Sequence, residues 1–336
     1  MTKTEGNMKR YRMKKLACLT IAATTFHQVF ACCMLPRNYE GTIRQNTQEA
    51  VIFHDNGMQD MILRINYQIS GKTAPREFAW IITVPNEPQS YTVADSDIFE
   101  QTFDWASPLV RPAPKFRLFP PLFASAGPAT DRIKLSEKVE VGPYNIQPIK
   151  VKGADALGAL NDWLSANGFP TEDPAHMKYF VDNGFTFLCI KINPAKGKQA
   201  VNAGGDLEPL HLTFKSESVY YPLRFSSRQG VFDVNLTVLT RKKIDYKKSA
   251  KNLAKINWTG SNLKKNVKVS RVDFPEKLSA AYKKSAFKTL KEKACYLNVI
   301  ETRSTNRNNS IANWDSDVFF ATTGRPAGSG IRFLRR

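Results

Sequence analysis

Gln48-Glu49-Ala50-Val51-Ile52-Phe53-His54-Asp55-Asn56-Gly57-Met58-Gln59-Asp60-Met61-Ile62-Leu63-Arg64-Ile65-Asn66-Tyr67-Gln68-Ile69 is the stretch whose reading decides the fold class. Gln48 to Phe53 is rich in strand formers. Asp55-Asn56-Gly57 follows as a hairpin turn, because Asn and Gly tolerate positive φ. Met61, Leu63, Ile65, Tyr67 and Ile69 then alternate with Asp60, Ile62, Arg64, Asn66 and Gln68. That period of two predicts a sheet packed on one side and wetted on the other. Phe78, Trp80, Ile82 and Val84 repeat the pattern and stop at Pro85.

Outward from this hairpin the composition changes at Ser107. Pro108, Pro112, Pro114, Pro120, Pro121 and Pro128 interrupt any ladder, so 107–131 reads as a linker or surface excursion. Order resumes near Val139–Val151, and two helices follow. One runs from Asp155 to Asn167 with Leu157, Leu160, Trp163 and Leu164 on a stripe. The other starts at Asp173-Pro174, an N-cap followed by Pro at the first helical position, and ends at Asn183-Gly184. Strands are expected at Phe185–Ile192, Leu210–Phe214 and Phe232–Thr240. The sum is an α+β fold, β-dominated and sandwich-like, with antiparallel sheets, a helical pair in the middle and a basic C-terminal helix. The segments are 1–31, 32–106, 107–131, 132–240, 241–307 and a tail at 308–336.

The first segment has the order of a bacterial export signal. Met8-Lys9-Arg10-Tyr11-Arg12-Met13-Lys14-Lys15 is basic, Leu16 to Ala23 is apolar, and Val29-Phe30-Ala31 precedes Cys32. Cleavage between Ala31 and Cys32 suits ordinary signal peptidase, and a cysteine after the cut also suits lipid attachment at Cys32. The apolar run is too short and too polar to remain as a spanning helix. The expected location is therefore the periplasm or cell envelope, away from NAD, ATP and chromosomal DNA. Beyond the cut, Cys32, Cys33, Cys189 and Cys295 allow three pairings that spacing does not separate, with Cys33, Cys189 and Cys295 as disulfide candidates. Cys189, in an apolar strand, reads first as a small core residue.

Charge is segregated. The chain carries a net +19; the leader accounts for +5, and 241–307, with nineteen basic against five acidic residues, for +14, so the body sums to zero. In the basic block a helix is expected from Pro275 to Ile300. Leu278, Tyr282, Ala286, Leu290, Ala294 and Leu297 recur at threes and fours, and lysines fill the other face. Lys283, Lys284, Lys288 and Lys291 are the candidate contacts to a polyanion. Because the chain is read as exported, the expected partners are an envelope protein, an anionic envelope polymer or a membrane surface, and no nucleic acid.

Catalytic motifs are missing from the sequence. It has no Gly-rich phosphate loop, no His-Glu-x-x-His pair and no Gly-x-Ser-x-Gly elbow. Gly204-Gly205-Asp206 reads as a turn. Asp95-Ser96-Asp97 and Asp315-Ser316-Asp317 lack the further carboxylates of a calcium loop. His54, His176 and His211 stand at no ligand spacing, so no metal or cofactor is expected. His211 falls on the polar side of its strand, and His54 beside Asp55 reads as turn chemistry.

The ordered series Gln48, Ala50, Ile52, Gly57, Met61, Tyr67, then Phe78-Ala79-Trp80-Ile81-Ile82-Thr83-Val84-Pro85 resembles an exported bacterial family, domain of unknown function 2330. Val141-Gly142-Pro143-Tyr144, Trp163-Leu164, Asn167-Gly168-Phe169, Gly184-Phe185, Tyr221-Pro222-Leu223-Arg224 and Asp317-Val318-Phe319 extend it. The resemblance implies a secreted or envelope-associated protein with cysteines just after the signal. It assigns no activity and no catalytic residue. Some relatives carry a C-terminal membrane helix; here Ile331-Arg332-Phe333-Leu334-Arg335-Arg336 offers no such span. Together these features predict a non-enzymatic binding or structural protein of the envelope. The competing expectation is an extracytoplasmic hydrolase whose site is assembled from distant residues.

Overall fold

The computed structural model describes residues 32–111, 138–150, 156–193, 204–253, 263–285, 294–302, 317–324 and 326–327. Residues 1–31, Ala31 included, the Pro-rich stretch from 112 on, Lys288, Lys291 and the tail from 328 lie outside the described residues. β1 is Cys33–Met34, and the decisive hairpin pairs β2 (Gly41–Asp55) with β3 (Met58–Gly71). Asn56 and Gly57 turn it with φ of 46° and 75°. The pleat sends Ala50, Ile52, Met61, Leu63, Ile65 and Tyr67 to one side, and Val51, Phe53 and Ile62 to the other.

Around this hairpin grows an eight-stranded sheet. It adds β5 (Ser90–Val93), β9 (Gly204–Asp206), β10 (Leu210–Lys215), β12 (Asp233–Thr240), β14 (Val267–Ser270) and β15 (Ala294–Thr302), in the order β14-β15-β12-β2-β3-β10-β5 with β9 also on β3. The stretches 32–106, 132–240 and 241–307 all give strands to it. β12 lies parallel to β2, against the antiparallel expectation. A second sheet orders β1, β4 (Phe78–Val84), β8 (Thr186–Ile192), β7 (Tyr144–Lys150) and β6 (Val139–Val141). Phe78, Trp80, Ile82 and Ile190 face Leu63, Ile65 and Tyr67 across the sandwich, and the rings of Tyr67 and Phe78 lie 4.9 Å apart.

Both outer faces carry helices. α2 (Ala156–Ala166) and α3 (Pro174–Asp182) lie against the five-stranded sheet, where Phe180 meets Phe187 at 5.8 Å. The Asp173 side chain caps α3 by accepting the Ala175 N–H. α1 (Ile98–Val110) and α5 (Glu276–Lys284) cover the back of the larger sheet, burying Val51, Phe53, Ile62, Leu239 and Leu297 against Ile98, Phe99, Val110 and Leu278. The face predicted to be wet is therefore roofed, and Asp60 and Ile62 are 0% exposed.

Three further expectations are corrected. α1 runs through Ser107 and Pro108, so the Pro-rich region does not begin at 107. Gly204-Gly205-Asp206 is a strand, and a Cβ at Gly204 would sit 2.6 Å from the Tyr67 carbonyl oxygen, which is why glycine stands there. The helix expected to reach Ile300 ends at Lys284, and 294–302 is β15. Leu297 faces the helices and Ile300 faces the sandwich core, so residues three apart look like one helical stripe when they are two sides of a strand.

Candidate functional site

Three polar assemblies are the candidates, and each is set by strand register or by a cap. The first is in the larger sheet. His211 and Thr213 of β10 stand beside Ile62 and Asp60 of β3. His211 Nε2 lies 3.0 Å from Asp60 Oδ1, and Thr213 Oγ1 donates to the same oxygen. A nucleophile relay needs hydroxyl, imidazole and carboxylate in series. Here both donors converge on one carboxylate oxygen, and all three residues are buried. The cluster is therefore a structural brace, and His211 is not the exposed strand histidine its sequence suggests. His54 is also buried, with Nε2 2.9 Å from the Ser216 carbonyl oxygen and its pKa lowered by burial.

The second assembly gathers Glu172, His176, Arg224, Arg228 and Asp317, none of which sequence spacing had placed together. Tyr221-Pro222-Leu223-Arg224 is tied to Asp317-Val318-Phe319 by Asp317 Oδ1, which accepts the N–H of Leu223 at 3.0 Å and of Arg224 at 2.9 Å. β11 (Val219–Tyr221) and β16 (Val318–Phe320) pair alongside. Asp317 is thus committed to backbone amides. Burial lifts its pKa to about 6, against those hydrogen bonds. Burial also lifts Glu172 to about 8, with Arg228 opposing, and lowers His176 to about 4, helped by Arg228 and Arg224. A protonated acid and a neutral imidazole are the kind of pair that acid–base chemistry uses. Yet Glu172 Oε1 and His176 Nε2 are enclosed. Neither residue lines the nearby pocket bounded by Gln48, Leu63, Ile82, Tyr221, Phe225 and Ser226, which holds about one water, 10 Å³ at the water centre.

The cysteines lie on different surfaces of the fold. Cys33 is opposite Trp80 in β4, on the sandwich side, while Cys189 is opposite Ile81, on the side of α2 and α3. Cys295 packs under α1 and α5, and burial pushes its thiol up to about 12. The structure does not bring Cys33, Cys189 and Cys295 together, and all three are free thiols. Cys32 is sewn into the fold: its sulfur is 3.1 Å from both Gln45 Oε1 and Gln229 Oε1, and its carbonyl accepts the Ile81 N–H. Asp95, from the weak calcium motif, instead receives the ammonium of Lys277 at 3.0 Å.

The third assembly is the described part of the basic block. Lys242, Lys243, Lys247, Lys248, Lys264, Lys265 and Lys268 are exposed. They belong to β13 (Lys243–Ile244), the first turn of α4 (Tyr246–Leu253), and the approach to β14 and β14 itself. Lys265 Nζ lies 4.6 Å over the Tyr246 ring and Lys243 Nζ 5.7 Å over Tyr296, which is cross-strand from Lys268. Asn266, at φ 53°, clips these segments. Its Oδ1 accepts the Ile244 N–H at 2.7 Å and its own N–H donates to Asn298 Oδ1 at 2.8 Å, which also accepts the Tyr246 hydroxyl at 2.9 Å. Of the four lysines expected to touch a polyanion, Lys283 is exposed on α5. Lys284 closes α5, and the other two lie outside the described residues.

A two-sheet α+β body flanked by helices, with its titratable clusters enclosed and its lysines outside, defines the class. A family model described as an uncharacterized protein conserved in bacteria, domain of unknown function 2330, matches residues 27–314, and the chain belongs to that family. No curated protein matches it. Among solved structures, the crystal structure of baculovirus P35 is similar at a TM-score of 0.43 and 9% identity, over 86% of this chain and 100% of that one, a likeness too distant to bear on function.

Proposed function

We propose that this bacterial protein is exported to the cell envelope and works by binding an anionic partner, not by catalysis. The observation that carries this reading is the state of its charges. The histidine and carboxylate clusters are consumed by internal partners or enclosed, while seven lysines stand outside on one clipped group of segments. The leader at 1–31 supports the address. Among the described residues no helix is long and apolar enough to cross a membrane. The seat of Cys32 favours ordinary cleavage after Ala31, because a sulfur held between Gln45 and Gln229 has no room for a lipid thioether.

The test is to fractionate cells and read the N-terminus of the recovered protein. Envelope or periplasmic recovery beginning at an unlipidated Cys32 supports the reading, and the uncut chain in the soluble interior overturns it. Deleting 241–307 is not a clean probe, because it removes β14 and β15 from the larger sheet. A hydrolytic reading would run through Glu172 and His176. Loss of a hydrolytic activity in Glu172→Gln and His176→Ala, with folding intact, would establish it in place of the binding reading.

A further inference from the structure

We propose that the platform formed by Lys243, Lys265 and Lys268 over Tyr246 and Tyr296 docks the protein on a bilayer surface rich in anionic phospholipid, an inference that rests on the exported reading above. Seven like charges repel one another, yet the fold holds their segments together. From 242 to 268 the sequence contains one acidic residue, Asp245, and its carboxylate is occupied capping α4 through the N–H groups of Lys247 and Lys248, at 3.1 and 3.2 Å. No ion pair reaches any of the seven lysines among the described residues. Several cations elsewhere are matched: Arg64 with Glu49 at 2.7 Å, Arg111 with Glu301 at 2.5 Å, Lys191 with Glu77 at 3.1 Å. The Asn266–Asn298 clip, with Asn298 fully buried, maintains a concentration of charge that finds no ion-pair partner among the described residues. Such an arrangement suits an external polyanion.

The residue types narrow the partner. The exposed cations of 242–268 are all lysine, with no guanidinium fork for planar, bidentate recognition of one carboxylate or phosphate. Two tyrosine faces already lie under ammonium groups and are not offered to bases or sugars for stacking. Point charges on long stems, spread over a ribbon, a helix turn and an edge strand, fit a fluid sheet of phosphate headgroups better than a polymer of fixed geometry.

The experiment uses the cleaved full-length chain with vesicles of phosphatidylcholine alone or mixed with phosphatidylglycerol, measured by co-sedimentation. Binding should require phosphatidylglycerol and weaken as salt is raised. Lys243→Gln/Lys265→Gln/Lys268→Gln should lower the partition coefficient on the order of a hundredfold. Lys138→Gln/Lys150→Gln/Lys215→Gln, an equal charge change on exposed lysines elsewhere, should lower it only a few-fold, and the three patch lysines changed to Arg should keep it. Equal loss in both Gln triples, loss in the Arg triple, or no binding to phosphatidylglycerol vesicles overturns the proposal. So does binding to lipopolysaccharide without binding to such vesicles. Failure of export is read in cells by fractionation, so the two failures remain distinct.

Discussion

The sandwich and the lysine-bearing edge treat charge in opposite ways. In the sandwich, Asp60 takes two side-chain donors, Asp317 accepts two backbone amides, and Arg64 reaches both Glu49 and Asp206. On the edge, the fold uses uncharged amides, Asn266 and Asn298, to hold segments whose lysines have no counter-charge among the described residues. Buried charge needs partners because desolvation is costly, whereas exposed lysine remains hydrated at little cost. The difference teaches that the exposed lysines of 242–268 are not confined to the outer face of one helix, since they stand on separate segments tied together by a polar clip.

Asn298→Ala should have the largest effect of the point changes that can break this contrast. It strands the Asn266 N–H and the Tyr246 hydroxyl, and should lower unfolding free energy by about 2–3 kcal/mol, measured by denaturant titration. A loss under 0.5 kcal/mol, roughly that of an ordinary surface change, would mean that the clip does not organise the edge.

The next test concerns the sandwich alone and runs through pH. Glu172 holds its proton up to about 8 when folded against an ordinary value of 4.5, so its stabilising contribution is present at low pH and is lost as pH rises toward 8. His176, lowered to about 4 from 6.5, works in the opposite sense between those values, where folding gains stability as pH rises. The two oppose each other until His176 is neutral in both states. Between pH 6.5 and 8 only Glu172 of this pair changes, and stability should fall by on the order of 2 kcal/mol. Glu172→Gln should flatten that window in thermal melts taken at each pH.

Smallest is Lys243→Gln/Lys268→Gln, which should change unfolding free energy by no more than about 0.5 kcal/mol, with any shift toward greater stability as repulsion is relieved. A loss larger than 1 kcal/mol, well beyond an ordinary surface substitution, would show that these ammonium groups serve the fold.

Local features of the sandwich were readable from residues, and long-range ones were not. Asn56-Gly57 with flanking alternation marks the β2–β3 turn because that chemistry is confined to neighbours. Asp173-Pro174 marks the start of α3 for the same reason. The roof over the larger sheet was hidden, since Asp60, Arg64 and His211 look like solvent residues, whereas Arg64 lies against Phe99 of α1 and the other two are buried. β15 resembles a helix in sequence because Ala294 and Leu297, three apart, continue the spacing of Leu278, Tyr282, Ala286 and Leu290. The second polar assembly draws on 172–176, 224–228 and 317, and its one sequence hint was that two family motifs, at Tyr221 and Asp317, had no local task. The lysine edge was visible as composition. Its clip was not, because two asparagines separated by a helix and a strand carry no spacing signal.

The parallel pairing of β2 with β12 also governs when this molecule can become solid. The middle of the larger sheet pairs strands far apart in sequence, β2 at 41–55 and β12 at 233–240, and β15, next to β12, comes later still. During N-to-C synthesis β2 and β3 can form their hairpin early, but with no neighbour on the β12 side. Closure of so wide a loop is slow and comes last. The topology thus leaves the larger sheet open on one side until β12 and β15 have been made, so its hairpin must wait for partners encoded much later.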